Sequence, residues 1–243
     1  MPLRREILGA LTTVWLARAV HAAGAAPTVL DEKLKSRLRK LDDASRALAH
    51  GEIQPVDWQR AGVEFCDGID VQELCRAADF EHMAARLPLL PRGTSAEAIR
   101  LLDGQAFTPK IFAMGKGRAI VPHGHRNMVS QHLVLQGEMR GRHYERLRDE
   151  PGWLVVRPTI DKVFRTGDFS SISDQRDNVH WFEVRRGPAF TLDVIIDGLD
   201  PALGFPYRID FVDPDRAAAA GNGLFRAPVI PYAEAVARYT RPS

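Results

Sequence analysis

A mainly β domain preceded by a helical segment is what this chain predicts, and two changes of texture say so. From Phe107 onward, nine short runs rich in Val, Ile, Phe and Tyr are separated by Gly, Asp or Pro, at 110–114, 118–122, 129–136, 138–147, 153–156, 162–165, 179–184, 189–196 and 207–212. Regularly spaced strands of this kind predict a sandwich or small barrel. Before Phe107 the apolar residues recur instead at helical spacing, as in Leu30, Leu34, Leu38, Leu41 and Leu48 with charged residues between them.

Taken in order, the first segment is residues 1–26. Arg4 and Arg5 precede an apolar run at 7–17, Arg18 ends it, and small residues follow to Ala26. This is the order of an export signal, and the adjacent arginines resemble the twin-arginine type, whose route carries folded proteins. A periplasmic or secreted protein is expected, or a cytoplasmic one if the segment is not a signal. The run is too short to span a membrane comfortably, so no integral membrane protein is expected after processing. The formal charge of +2 is accounted for by Arg4, Arg5, Arg18 and Glu6. The remainder is neutral, which argues against nucleic acid as a partner.

Residues 27–106 read as helices at 30–49, 56–66, 71–87 and 95–102, broken at Gly51, Pro55, Asp67-Gly68 and 88–93. Trp58, Phe65 and Met83 belong to their buried faces. Cys66 and Cys75, the only two cysteines, suit either a disulfide in an oxidising compartment or two buried thiols. Residues 107–213 form the β domain. The tail, 214–243, is Ala-rich and ends in a short helix at 232–239.

Histidine carries the chemistry. Five of the eight histidines lie between residues 123 and 180. His123 and His125 flank Gly124, and on an extended chain residues i and i+2 project to the same side. Neutral imidazole is the commonest protein ligand for a transition metal.

The string Lys110-Ile111-Phe112, Val121-Pro122-His123-Gly124-His125, Leu133–Gly137 and Tyr144 resembles the first metal motif of a cupin, with Gly137 in place twelve residues after His125. Ser130 stands where cupins place a glutamate. A missing carboxylate with the spacing kept resembles the thiol dioxygenases, such as cysteine dioxygenase, cysteamine dioxygenase and plant cysteine oxidase. Asn178-Val179-His180-Trp181-Phe182, then Pro188 and Leu192–Ile195, is similar to the second motif of that group, with one extra residue between His and Pro.

The resemblance covers roughly Phe107 to Val212. It implies a cupin double-stranded β-helix, a jelly-roll barrel, with His123, His125 and His180 as metal ligands. Their ring nitrogens are then expected within about 3.5 Å of one another. Iron(II) is implied first, with Mn, Ni, Zn or Cu as other divalent ions. The substrates implied are O2 and a small thiol or a peptide with an N-terminal Cys. Three imidazoles on one face leave open positions, and without a carboxylate the site keeps an extra positive charge suited to a thiolate.

Three further residues are singled out. His132 points the same way as Ser130, as a fourth ligand, a proton-transfer group or a hydrogen-bonded core histidine. Asp193, among apolar neighbours, needs a buried partner and suits a hydrogen bond to a ligand histidine. Tyr144, with Arg142, stands at positions where the resemblance implies cavity-lining residues, or else on a solvated strand face. His143 alternates away and is expected at the surface, and Arg185-Arg186 reads as a turn. The rival functions are a metal-dependent isomerase, lyase or ring-cleaving dioxygenase on the same fold, or a non-catalytic periplasmic binding protein.

Overall fold

The computed structural model describes residues 31–90 and 94–240, so the expected export segment lies outside the described residues. Four helices come first: α1 (Glu32–Ala49), α2 (Pro55–Cys66), α3 (Val71–Ala77) and α4 (Phe80–Arg86). Three of the four starts are written in the sequence. The Asp31 side chain accepts from the Lys33 N–H, Pro55 opens α2, and Asp70 accepts from the N–H groups of Gln72 and Glu73. Among the described residues no helix is long and apolar enough to cross a membrane.

Ten strands follow: β1 (Ser95–Ala98), β2 (Thr108–Met114), β3 (Ala119–Arg126), β4 (Met128–Glu150), β5 (Trp153–Arg165), β6 (Phe169–Ile172), β7 (Val179–Asp197), β8 (Arg208–Phe211), β9 (Ala218–Ala219) and β10 (Phe225–Pro228). A last helix, α5 (Tyr232–Tyr239), closes the described chain.

Two long strands make the fold. β4 runs antiparallel to β7 from Met128–Asp197 to Tyr144–Val179. The first half of β4 also pairs with β6 and its second half with β5, while β7 pairs first with β3 and then with β2. The result is two sheets that share bent strands. One has the order β8-β3-β7-β4-β5-β10-β9, the other β1-β2-β7-β4-β6. They face each other, since the His132 ring of the second lies 4.8 Å from the His180 ring of the first. This is the jelly-roll architecture the sequence predicts.

The bend in β4 falls at Gly137, whose φ is +91°. A Cβ there would lie 2.6 Å from the Pro188 carbonyl oxygen and 2.7 Å from the Ala189 Cα. Register shifts cluster around it, between Val134 and Met139. The opposing bend in β7 spans Arg185–Pro188, so the arginine pair lies inside a strand and not in a turn.

Helices α1–α4 cover the outer face of the second sheet. Leu38, Leu41, Trp58, Phe65 and Met83 pack against Ile111, Leu133, Leu192 and Val194 in one buried cluster, and Phe80 meets Phe190 edge-on at 5.3 Å. Each such side chain contributes roughly 1.5–3 kcal/mol on burial. The interior of the barrel has its own apolar floor of Met114, Val134, Met139, Phe164, Phe182 and Val184.

Two expectations are corrected, and of the two alternatives for the cysteines one is found. The segment around 95–102, expected as helix, contributes strand β1, because four residues pair with β2 in an antiparallel ladder that overrides the helix preference of Ala and Glu. The tail supplies β10, which pairs with β5 from Phe225–Val156 to Pro228–Trp153, so it is part of the sheet. Cys66 and Cys75 are free thiols. Cys66 is buried, accepts from Gln131 Nε2 at 3.4 Å, and burial pushes its pKa up to about 12.

Gly137→Ala is expected to destabilise the protein by about 1–3 kcal/mol, through the left-handed φ and the contact with the Pro188 carbonyl. Urea unfolding checks this as a lower midpoint at unchanged slope.

Candidate metal centre

Strand register builds the site. His123 on β3 is directly opposite His180 on β7, and His180 is directly opposite His143 on β4. Side chains directly opposite one another share a face. Three imidazoles therefore stand in a row across the inner face of the first sheet, with His125 two residues beyond His123 on the same face. His132 comes from the facing sheet, where Ser170, His132, Asp193 and Lys110 form the opposing row.

The rings crowd one another. Centroid separations are 4.5 Å for His123–His125, 4.4 Å for His123–His180 and 5.2 Å for His125–His180. One ligand atom from each of these three lies within 4.8 Å of the others. The three histidines singled out in the sequence thus converge, on a looser bound than the expected 3.5 Å.

Burial sets their protonation. All three are nearly inaccessible, and desolvation lowers the His123 pKa to about 4 and holds those of His125 and His180 well below 6.5. At neutral pH they carry the lone pairs a metal requires. The His123 Nδ1 lies 2.7 Å from the Val121 carbonyl oxygen, so Nδ1 bears the proton and Nε2 is free to bind. Nδ1 of His125, Nδ1 of His180 and Nε2 of His132 are buried with no hydrogen-bond partner. Orphaned nitrogens cost free energy, and coordination is one way to relieve it. The donor set therefore fits a transition metal ion.

Asp193 stands elsewhere than expected. Its Oδ2 lies 2.9 Å from Nδ1 of His132, and both side chains are buried. Its partner is His132 and not one of the three clustered histidines. The carboxylate accepts a hydrogen bond from Nδ1–H, which leaves Nε2 of His132 as a buried acceptor in a ring 4.8 Å from that of His180. Ser130 is buried on the same inner face, its hydroxyl unpartnered.

His143 and Tyr144 exchange the places the sequence suggested. His143 is fully buried, its ring stacked 5.6 Å from that of His180, and desolvation lowers its pKa to about 3. It is not a surface residue. Tyr144 lies on the opposite face of β4, where it packs with Leu154, Val156, Val179 and Val212. Its neighbour on that outer face, Arg142, stacks over Trp181 at 4.1 Å, and Trp181 in turn meets Tyr239 of α5 at 4.9 Å. Neither Tyr144 nor Arg142 lines the interior.

One consequence is measurable in the metal-free protein. Four histidines have folded-state pKa values below their ordinary 6.5. Above pH 6.5 the folded and unfolded chains are both neutral at these rings, and stability is complete. As pH falls below 6.5 the unfolded chain takes up protons that the folded one refuses. Stability then declines by up to about 1.4 kcal/mol per pH unit for each histidine. Thermal unfolding is expected to be level between pH 8 and 7 and to fall steeply between pH 6.5 and 5. A Tm independent of pH across that range would contradict the burial of these rings.

No protein-family model matches the chain, and no curated protein matches it. It does resemble solved structures. KdgF of a Halomonas species is 13% identical at a TM-score of 0.32, the match covering 42% of this chain and 77% of that one. A cupin-superfamily protein of Desulfitobacterium hafniense is 13% identical at a TM-score of 0.31, over 46% of this chain and 84% of that one. A recombinant oxalate oxidase in complex with glycolate is 15% identical at 0.35, over 50% and 56%. Likeness at this level carries no argument about activity. The strand pairing and the buried cluster define the molecule: a helix-backed, mainly β jelly roll whose interior holds a three-histidine site able to bind a metal ion.

Proposed function

We propose that this protein is a mononuclear non-haem iron enzyme that adds dioxygen to a thiol, a small molecule or a peptide with an N-terminal cysteine. One observation carries the reading: among the described residues the cluster holds three neutral imidazoles and no carboxylate. Asp193, an acidic side chain on the inner face, is engaged with His132. An ion held by His123, His125 and His180 would keep its full charge, which favours an anionic sulfur ligand. When bound, iron(II) supplies the electrons for oxygen activation that no side chain can supply.

The remaining roles fall to the chain itself. The apolar floor and the flanking sheets keep bulk water from the rings. Asp193 fixes the tautomer of His132, so that Nε2 is the atom able to take the thiol proton. The overall change is balanced: both atoms of O2 end on sulfur, and R–SH becomes the sulfinic acid R–SO2H, whose proton is released to solvent at neutral pH.

The test is metal analysis of protein purified from its own source, followed by oxygen uptake with cysteine, cysteamine and an N-terminal Cys peptide. Stoichiometric iron and uptake of one O2 per thiol are expected. Another native metal, or no uptake with any of the three, would favour a different enzyme class or a binding protein. His180→Ala is expected to lose metal while keeping the wild-type circular dichroism, because the barrel has its own apolar core.

His132→Gln is expected to retain both metal and fold and to lower turnover by ~10²–10⁴-fold, the range for a lost proton-transfer group. Loss of metal first would make His132 a fourth ligand. A variant normal in both would reduce it to packing.

A further inference from the structure

We propose that Asn178 positions the metal-binding histidines by clamping the His125 backbone to the strand that carries His180. The inference rests on the three-histidine reading above and adds a residue that reading does not use.

The pairing of β3 with β7 is short where it matters. Their register shifts between Ile120 and His123, and regular pairing then resumes for only His123–His180 and Gly124–Val179. Pro122, inside the shifted stretch, has no N–H to contribute. The next rung, at His125, is made by a side chain. The His125 N–H donates to Asn178 Oδ1 at 3.2 Å, and Asn178 Nδ2 donates to the His125 carbonyl at 2.8 Å. The second Nδ2 proton reaches the Ser173 carbonyl at 3.0 Å. A carboxamide has the donor and acceptor of a peptide unit, so Asn178 extends the ladder by one rung and ties it to the loop before β7.

Three features mark this as a built device. Asn178 is 2% exposed, so the bonds it makes do not compete with water. It immediately precedes β7 and lies two residues before His180, so one side chain links the strands of two ligands. The residue between His123 and His125 also answers to it. A Cβ on Gly124 would lie 2.9 Å from Asn178 Oδ1 and 3.0 Å from Val179 Cγ2, so the approach needs glycine at that position. Without the amide, a buried N–H and C=O of His125 lose their partners, and beyond Gly124 the ligand strand is held by β8 alone and no longer tied to the strand of His180. Outer partners that orient metal ligands are typically worth 10- to 100-fold in metal affinity.

The experiment uses cobalt(II) as the probe, added to the purified full chain and to Asn178→Ala and Asn178→Asp. The aspartate variant is isosteric and keeps the acceptor for the His125 N–H while losing both donated bonds, so it carries the test if the alanine variant does not fold. Cobalt affinity is expected to fall about 10- to 100-fold, with a changed visible spectrum of the bound ion and faster hydrogen exchange at the His125 amide in the metal-free variants. A purely structural role would leave the spectrum of bound cobalt unchanged. Wild-type affinity and spectrum in both variants would overturn the proposal. If the wild-type chain binds no cobalt, the three-histidine reading fails, and exchange at His125 still decides the clamp: unaltered exchange overturns it, and accelerated exchange upholds it.

Discussion

Everything in the barrel depends on the antiparallel pairing of β4 with β7. That one ladder, bent at Gly137 on one strand and at Gly187-Pro188 on the other, serves both sheets. Its upper half sets His143 beside His180, and its lower half sets His132 beside Asp193. Folding the ladder back brings the two rows together across the interior. The other strands supply the edges, and β3 adds the remaining two histidines by pairing with the free side of β7.

The second constraint is the cost of placing so many imidazoles away from water. An ionised ring in such a place would be severely penalised, so the interior accepts histidine only as the neutral form. The same condition makes the rings suitable for coordination. The one carboxylate on the inner face that is hydrogen-bonded to this group is spent on His132, which separates the rings into two kinds. His132 is oriented by an acid, whereas His123 is oriented by a backbone carbonyl. In both rings the partner holds Nδ1 and leaves Nε2 available, but only His132 has a charged partner, and this difference underlies the separate roles assigned to them.

Much of this was legible in the sequence. Strand-like runs after Phe107, the spacing of His123 and His125, the later His180 and the final helix all carry local signals that the structure follows. Helix α5 falls at the expected residues because its amphipathic pattern is local. Other features depended on partners that no local pattern reveals. Strand β1 is made of helix-favouring residues and exists because β2 offers an edge. Asn178 lies outside regular structure, and only the register of β3 against β7 shows what its amide replaces. His143 and Tyr144 were misplaced for a single reason. Alternation along β4 puts Ser130, His132 and Val134 inside, but the bulge at Gly137 shifts the phase, so that Met139, Gly141 and His143 face inward beyond it. Parity counted through a bulge gives the wrong face for every residue that follows.

That phase shift also bears on how such a barrel can diversify. Beyond Gly137 the outward positions of β4 are Arg140, Arg142, Tyr144 and Arg146, interleaved with the inward ones. Gain or loss of one residue at the bulge would exchange the two sets on this strand at a stroke, taking His143 out of the interior and turning guanidinium groups toward His123, His125 and His180, which keep their places on β3 and β7. A one-residue insertion or deletion there would set positive charge beside the three-histidine cluster, where it opposes a bound cation. The bulge thus decides which side chains β4 presents to the interior as well as where the two sheets part.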